Sequence, residues 1–283
     1  MSSPTKNKKN IAIIICWYGT YPWYFSYFIH SCAYNPTIEF FIVTGNEKPF
    51  YNLPNNVKTV HKTLDEIKKR ATEKLNLDVN LDCPYKLCDF KPAYGFLFPE
   101  IIDEYDFWGH GDIDVIYGNI RNFITDEILK SYDVITVRHD FLVGYFTLYR
   151  NCKKVNELFM LSKDYKKVFT TQKHFCFDEC NFAFWKLDHD ISFEDVADQC
   201  EIESMTHVVK KLHREKKLNA YFDMHAVEGV EGKLLWEKGT LIFKHQFEVI
   251  LYHLIILKKI YSPKTPRHIP DKFRISPTRI YPN

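Results

Sequence analysis

Three short apolar runs stand in the first part of the chain. They are residues 11–16 (IAIIIC), 38–46 (IEFFIVTGN) and 57–61 (VKTVH). The first two runs are continuously apolar rather than alternating, which is typical of strands that are buried on both faces of a sheet. The pattern therefore predicts three strands in this part of the chain, of which the third is the shortest.

Two segments with helical spacing of apolar residues accompany these runs. Residues 20–35 lie between the first two strands, and residues 63–76 follow the third, beginning with Thr63 and Glu66 at the spacing of a capping box. An order of strand, helix, strand with doubly buried strands predicts an α/β fold, in which helices cover both faces of a mostly parallel sheet.

The middle of the chain continues the same alternation. Pro92 suits the first turn of a helix, which we expect to lead to a strand near Tyr105. Residues 106–118 (DFWGHGDIDVIYG) then bring two carboxylates to the end of an apolar run. The following elements are predicted as strands at 133–137 and 141–151 and a helix at 155–162.

After residue 162 the pattern of apolar residues becomes less regular. Residues 232–246 (GKLLWEKGTLIFKHQ) predict two strands around a Lys-Gly turn, and residues 247–261 (FEVILYHLIILKKIY) predict an apolar helix. No linker is evident. We therefore expect one domain with a mixed second half over residues 11–250, a disordered leader at 1–10, and a C-terminal helix and tail at 251–283.

Composition excludes several classes of protein. The formal charge of +2 over 283 residues provides no global field for nucleic acid, so no nucleic-acid partner is expected. Eight scattered cysteines and the lack of a signal segment favour a cytoplasmic protein, and no apolar run reaches the length of a membrane span. The aromatic content of 16% suits stacking on sugars, but it suits a large core better.

Asp112 and Asp114 are the strongest chemical signal in the sequence. In an extended segment their side chains would point to the same face and approach one ion. Hard divalent cations such as Mg²⁺ or Mn²⁺ take carboxylate oxygens and leave sites for phosphate. An isolated Asp-x-Asp is usually a solvated turn, but the carboxyl end of a strand in an α/β fold is where ligands bind.

The chain resembles the nucleotide-sugar-dependent glycosyltransferases of the GT-A fold. The residues that carry the resemblance are YKLCDFKPAYGFLFPE (85–100) and YDFWGHGDIDVIYGNIRNFI (105–124). They look like a family of bacterial polysaccharide-type glycosyltransferases catalogued as a domain of unknown function. The resemblance implies that Asp112 and Asp114 bind a divalent metal that bridges the diphosphate of the donor.

The resemblance also implies roles for residues around this strand. Each has an ordinary structural alternative, such as a charged turn or an aromatic side chain that packs on a helix. The residues expected to bind the donor nucleotide are Tyr18, Gly19, Thr44, Lys86, Asp89, Lys91, Asp112, Gly144 and Lys244.

Three further residues complete the expected site. Asp178 or Glu179 could deprotonate the acceptor hydroxyl, or the pair could simply favour a helix N-terminus. His245, at the end of a predicted strand, is expected to be a third metal ligand, since a C-terminal histidine completes the metal shell in several GT-A families.

The sequence thus favours a metal-dependent hexosyl- or pentosyltransferase that uses Mn²⁺ or Mg²⁺. Its expected partners are a nucleotide-sugar donor, with UDP as the nucleotide, and a saccharide acceptor in polysaccharide or glycan synthesis. The alternatives are a nucleotidyltransferase or phosphohydrolase that uses the same carboxylates, and a non-catalytic carbohydrate-binding protein. Lys258, Lys259 and Arg267 near the terminal helix could add peripheral contact with an anionic membrane.

Overall fold

The apolar run at 11–16 forms the middle of a seven-stranded sheet with the order β3-β2-β1-β4-β7-β6-β8. This computed structural model describes residues 10–47, 50, 52–187, 190–229, 232–266 and 268–282. Residues 1–9 of the predicted leader, and Arg267, lie outside the described residues.

Strands and helices alternate along the first half, and short strands dominate the second. The strands are β1 (Ile11–Cys16), β2 (Ile38–Thr44), β3 (Val57–His61), β4 (Phe107–Gly111), β5 (Val115–Tyr117), β6 (Val134–Thr136), β7 (Phe146–Arg150), β8 (Ala220–Phe222), β9 (Ala226–Glu228), β10 (Leu234–Glu237), β11 (Thr240–Phe243), β12 (Phe247–Glu248), β13 (Leu251–His253), β14 (Lys272–Ile275) and β15 (Ile280–Pro282).

The helices are mostly short. They are α1 (Phe25–Ala33), α2 (Leu64–Leu75), α3 (Leu87–Phe90), α4 (Tyr94–Leu97), α5 (Pro99–Ile102), α6 (Ile120–Phe123), α7 (Asp126–Ser131), α8 (Lys153–Asn156), α9 (Tyr165–Thr170), α10 (Phe193–Val196), α11 (Met205–Arg214) and α12 (Leu257–Ile260). Single 3₁₀ turns occur at Pro84–Lys86, Lys91–Ala93, Leu158–Leu161, Ala183–Trp185 and Ala197–Gln199.

The predicted α/β architecture with a mostly parallel sheet is confirmed. Strand β1 pairs in parallel with β2 and with β4, β2 pairs in parallel with β3, and only β7 runs against its neighbours β4 and β6. Successive side chains of β1 enter opposite cores, with Ile13 in one and Ile14 in the other. Both faces are therefore covered, as the continuous apolar runs require. The capping box of Thr63 and Glu66 opens α2.

The mixed second half builds two smaller sheets. One has the order β5-β13-β9 and the other the order β12-β11-β10-β14-β15. The predicted hairpin at 232–246 is present as β10 and β11. The predicted apolar helix at 247–261 is wrong, because this segment contains β12, β13 and only the one-turn helix α12. The tail supplies β14 and β15.

The strand order places a topological switch point between β1 and β4. The chain leaves β1 toward β2 on one side, and β4 joins β1 from the other side. Connections diverge at such a point and leave a crevice at the carboxyl ends of the two strands, where open α/β sheets bind ligands. Cys16 and Gly111 mark these two ends.

Among the described residues, no helix combines the length and the apolar character that crossing a membrane would need. The long terminal helix through which we expected peripheral membrane contact is reduced, in the described residues, to the one-turn helix α12. Lys258, one of its basic residues, instead turns toward a carboxylate in the crevice.

Candidate active site

A cleft of about 530 Å³ occupies the switch point. Its volume lies within the range of small-molecule sites in proteins. The residues that line it are Ile15, Cys16, Trp17, Tyr18, Tyr24, Pro84, Tyr85, Leu87, Cys88, Lys91, Tyr94, Asp112, Ile113, Asp114, Tyr145, His174, Cys176, Asp178, Glu179, Phe182, Phe184, His253, Ile255 and Lys258.

Asp112 follows β4 directly and is the more accessible of the two central carboxylates. Its side chain is 34% exposed, and Oδ1 accepts a hydrogen bond of 2.7 Å from Lys91 Nζ. The ammonium of Lys91 also donates to the Gly144 carbonyl oxygen at 3.0 Å and lies 3.6 Å from Asp178 Oδ2. Burial lowers the pKa of Lys91, but Asp112 together with Cys88 and Asp178 outweighs this effect and raises it, so Lys91 stays cationic.

Asp114 is buried and bound by two cations from the end of the chain. Its Oδ2 pairs with Lys258 Nζ and lies 3.3 Å from Nε2 of His253. Burial lowers the pKa of His253, but Asp114 and Glu228 together overcome this and raise it to about 9. The pKa of Asp114 is lowered in turn, because His253 and Lys258 outweigh the cost of burial.

Strand pairing brings His253 to Asp114. β13 pairs antiparallel with β5, so that His253 stands opposite Val115, and the Leu254 amide donates to the Asp114 carbonyl oxygen at 2.8 Å. On the other side of the ring, His253 Nδ1 lies 3.4 Å from Oε2 of Glu228, the last residue of β9. Glu228 thereby orients the imidazole so that Nε2 faces Asp114.

Asp178, Glu179 and Gly144 form the opposite wall of the cleft. The Gly144 amide donates to Glu179 Oε1 at 2.6 Å, and Cys176 Sγ lies 3.2 Å from Glu179 Oε2. Burial raises the pKa of Asp178 well above its usual range; Lys91 opposes this rise and the neighbouring Glu179 adds to it. Gly144, which we expected to bind the donor, is approached closely by the side chains of Asp178, Glu179 and Lys91.

Gly144→Ala is expected to disrupt this wall. A Cβ atom at residue 144 would lie 2.5 Å from Asp178 Oδ2, 3.0 Å from Glu179 Oε1 and 3.1 Å from Lys91 Nζ, so these groups must shift. We expect a loss of about 1–3 kcal/mol in the free energy of unfolding, measured by urea denaturation. The control is Gly45→Ala, whose Cβ would come no closer than 3.3 Å to any neighbour. Equal stability of the two variants would contradict this account of residue 144.

Lys86 and Asp89, which we expected to bind the donor, lie beneath the cleft instead of lining it. Both side chains are almost fully buried and pair at 2.8 Å. Asp89 also accepts hydrogen bonds from the backbone amides of Phe175 and Phe177, and Lys86 donates to the Lys173 carbonyl oxygen. The pair therefore fastens the segment that carries Asp178, and the donor-binding prediction is corrected to a structural role.

The predicted nucleotide residues at the ends of β1 and β2 have different positions. Tyr18 lines the cleft, and its hydroxyl donates to the Lys62 carbonyl oxygen at 2.8 Å. Gly19, with a φ of +107°, belongs to a shallower depression beside it and accepts a hydrogen bond from Asn46 Nδ2. Thr44 is buried, and its hydroxyl oxygen accepts from the Asn46 amide, so it fastens the strand end and does not line the cleft.

Lys244 and His245 are not brought to the cleft. They form the turn between β11 and β12, where both backbones have positive φ angles and both residues are outside the cleft lining. His245, expected to close a metal site with Asp114, is not brought near that carboxylate; the histidine beside Asp114 is His253. His253 and Lys258 were missed because their segment was assigned to a helix; the short apolar run that ends at His253 was the signal for a strand.

The side-chain atoms that could ligate a metal in the cleft are of the types that bind a divalent cation. The available atoms are carboxylate oxygens of Asp112 and Asp114 and Nε2 of His253, and Mn²⁺ accepts both ligand types. The 3.3 Å between Asp114 Oδ2 and His253 Nε2 is close to the spacing of adjacent ligands around one ion. As they stand, however, the described residues contain no group of three or more His, Cys, Asp or Glu side chains in a metal-holding arrangement, and Lys91 and Lys258 neutralise the two carboxylates.

Comparison with known sequences identifies one family. A family described as "Family of unknown function (DUF6625)" matches residues 13–283 of the chain. Among curated proteins, none matches at a significant level.

Solved structures give remote likenesses. Galactosyltransferase LgtC in complex with donor and acceptor sugar analogs has a TM-score of 0.38 and 11% identity over 57% of this chain and 66% of its own. The apo-form glycosyltransferase GlyE of Streptococcus pneumoniae TIGR4 has a TM-score of 0.36 and 8% identity, and the match covers 77% of this chain and 46% of GlyE. Apo mouse xyloside xylosyltransferase 1 has a TM-score of 0.41 and 10% identity, and the match covers 87% of this chain and 97% of the mouse protein. The matched part thus spans just under two thirds of LgtC and less than half of GlyE, and at these scores the likenesses carry no argument about function.

Proposed function

This chain belongs to DUF6625, a family of unknown function, and we propose that it is a metal-dependent glycosyltransferase. It would move a sugar from a nucleoside-diphosphate donor, a UDP-sugar in the first instance, to a saccharide acceptor in glycan or polysaccharide synthesis. The observation that supports the proposal is the meeting of Asp112, Asp114 and His253 with Lys91 and Lys258 in one cleft at the switch point.

The cationic side of the cleft suits a diphosphate. Lys258 is 30% exposed beside Asp114, so its ammonium can pair with a phosphate oxygen once a ligand enters. Asp112, Asp114 and His253 would hold the Mn²⁺ or Mg²⁺ ion. When bound, that ion supplies positive charge against the leaving diphosphate.

The acidic side of the cleft suits the sugar hydroxyls. Burial raises the pKa of Asp178, which favours the protonated carboxyl group, and this form can donate a hydrogen bond to a sugar oxygen. Glu179 accepts hydrogen bonds from the Gly144 amide through Oε1 and from the Cys176 thiol through Oε2, and it is the better candidate for the base that accepts the proton of the acceptor hydroxyl. Lys91 lies between the two sides and contacts Asp112, Asp178 and the Gly144 carbonyl.

Product analysis tests the proposal against its alternatives. The protein is incubated with UDP-, GDP-, CDP- and dTDP-sugars, with and without Mn²⁺, and the released nucleotide is identified. A nucleoside diphosphate, from transfer or from donor hydrolysis, supports the proposal. Pyrophosphate would indicate nucleotidyl transfer, and inorganic phosphate a phosphohydrolase. Thermal shifts with the free nucleotides report binding directly, since a ligand at a hundred times its Kd adds about 2.7 kcal/mol to stability. No product and no shift with any nucleotide would overturn the proposal.

Glu228→Gln is expected to weaken metal binding without unfolding the protein. The neutral amide removes the negative charge that faces His253 Nδ1 and loosens the orientation of the ring. Replacing an outer partner of a metal-binding histidine typically costs about 10- to 100-fold in metal affinity. Mn²⁺ affinity is measured by electron paramagnetic resonance titration. Glu248→Gln serves as the control, because Glu248 contacts Asn122 on another surface. Unchanged affinity in the Glu228 variant would remove Glu228 from this role.

A further inference from the structure

Five rings extend from the cleft across the protein surface as an aromatic band. The band consists of Tyr85, His174, Phe182, Phe184 and Trp185. Consecutive ring centroids are 4.7, 5.6, 6.2 and 5.0 Å apart. The first four rings line the cleft, and Trp185 continues beyond it. The band is thus continuous with the proposed donor site.

The outer rings of the band are in contact with solvent. Trp185 is 82% exposed, Tyr85 is 66% exposed and Phe182 is 39% exposed. Single exposed aromatic residues need no explanation, but several that adjoin one another and open from a cleft mark an interaction surface. Core packing does not account for these rings, whereas Phe184 in the same band also contacts Phe141 of the core.

The loop that carries the band is held in an unusual backbone conformation. Asn181 and Phe182 have φ angles of 52° and 61°, a region that a bulky residue such as phenylalanine rarely adopts. Asn181 supports this conformation through two hydrogen bonds. Its Nδ2 donates to the Phe175 carbonyl oxygen at 2.8 Å, and its Oδ1 accepts from the Glu201 amide at 2.7 Å. The fold therefore maintains the exposed Phe182 ring by specific contacts.

The same loop presents both carboxyl groups and aromatic rings. Asp178, Glu179 and Phe182 line the cleft, and Trp185 is exposed beyond it. Beneath the loop, Asp89 accepts hydrogen bonds from the amides at Phe175 and Phe177 and fixes its position. Four rings of the band and the two carboxyl groups therefore line the same cleft.

We propose that the aromatic band binds an extended saccharide, the acceptor chain, with its reacting hydroxyl beside Asp178 and Glu179. This inference rests on the proposed function and names the acceptor subsite. A pyranose ring has apolar C–H faces, which stack on aromatic rings, and hydroxyl groups at its edge, which bind carboxyl groups. An apolar peptide or a lipid chain would also cover the rings, but its apolar groups offer no hydroxyl to bind Asp178 and Glu179 in the same cleft. The band of five consecutive rings is longer than one sugar, so it favours an oligosaccharide over a monosaccharide.

The test is binding to an immobilised oligosaccharide array, with neutral and acidic glycans of two to eight sugars as probes. We expect the native chain to bind a subset of the longer glycans. Trp185→Ala and Phe182→Ala should each lower that binding by about tenfold. The matched controls are Phe247→Ala and Tyr281→Ala, which remove rings that are 58% and 38% exposed and lie outside the cleft lining. Trp185 is so exposed that its loss should not disturb folding, and circular dichroism checks the Phe182 variant.

Two measurements distinguish failure of this inference from failure of the proposed function. Thermal shift with UDP and Mn²⁺ reports the donor site and should be the same in the native chain and the Trp185 variant. Nucleotide binding without binding of any glycan, or equal glycan binding by all variants, would overturn the acceptor subsite. Glycan binding that depends on Trp185 without any nucleotide binding would keep the subsite and reject the transferase. Binding of phosphatidylcholine vesicles through Trp185 in place of glycans would also overturn the inference.

Discussion

Asp114→Asn is expected to lower the rate of sugar transfer by about 10²- to 10³-fold. The substitution keeps the volume of the side chain but removes the charge that pairs with Lys258 and faces His253 Nε2 at 3.3 Å. The carboxylate is 9% exposed, so no solvent ion replaces it easily. Asp112→Asn is expected to act in the same direction, because it removes the second carboxylate of the cleft and the partner of Lys91.

The rate of nucleoside diphosphate release measures this effect at saturating donor. Circular dichroism and the melting temperature establish whether each variant is folded. Asp126→Asn is the matched control, since Asp126 is 40% exposed and pairs with Arg121 outside the cleft. Full activity in both the Asp112 and the Asp114 variants would exclude these carboxylates from the reaction.

Asp89→Asn is expected to cost about 3–5 kcal/mol in the free energy of unfolding, because it breaks a buried ion pair and leaves Lys86 without its counter-charge. Asp89 is fully buried and accepts hydrogen bonds from Lys86 Nζ at 2.8 Å and from the Phe175 and Phe177 amides at 3.0 and 2.9 Å. An amide can accept only through its oxygen, so some of these donors lose their partner. Urea denaturation measures the effect.

Asp82→Asn is the control, because Asp82 also pairs with a lysine but is 52% exposed. Such a surface pair is worth about 0–1 kcal/mol. If the Asp89 variant loses no more stability than the Asp82 variant, Asp89 does not fasten the loop above it.

The pH dependence of the Asp89 effect has a definite sign. Burial raises the pKa of Asp89, but hydrogen bonding and charge from His174, together with Lys86, outweigh burial and lower it. A carboxyl group whose folded pKa is depressed stabilises the fold above its unfolded value and loses this contribution as pH falls through the folded value. The difference in unfolding free energy between the native chain and Asp89→Asn should therefore be present at about pH 5 and shrink below about pH 4.

The same variant links stability to the site. The segment that Asp89 holds carries Asp178 and the aromatic band, so loosening it should weaken glycan binding as well as folding. The Asp82 variant should leave glycan binding unchanged, since Asp82 lies outside the cleft lining.

The sequence by itself determined the sheet and the centre of the cleft. Continuous apolar runs such as residues 11–16 are readable because burial on both faces leaves no alternation, and β1 is indeed covered by a core on each side. Asp112 and Asp114 stand at the end of such a run. Their place at the carboxyl edge of the sheet followed from the order of elements alone, and both line the cleft.

Tertiary structure decided which distant residues join them. His245 and His253 both end short apolar runs, and only the pairing of β13 with β5 selects His253 as the neighbour of Asp114. Local patterns record which faces are buried but do not record which strand pairs with which, since that choice depends on contacts across more than a hundred residues. For the same reason, the sequence did not show that Lys91 and Lys86 would have different positions relative to the cleft. Both lysines are buried with a carboxylate partner, but packing directs Lys91 into the cleft and Lys86 beneath it.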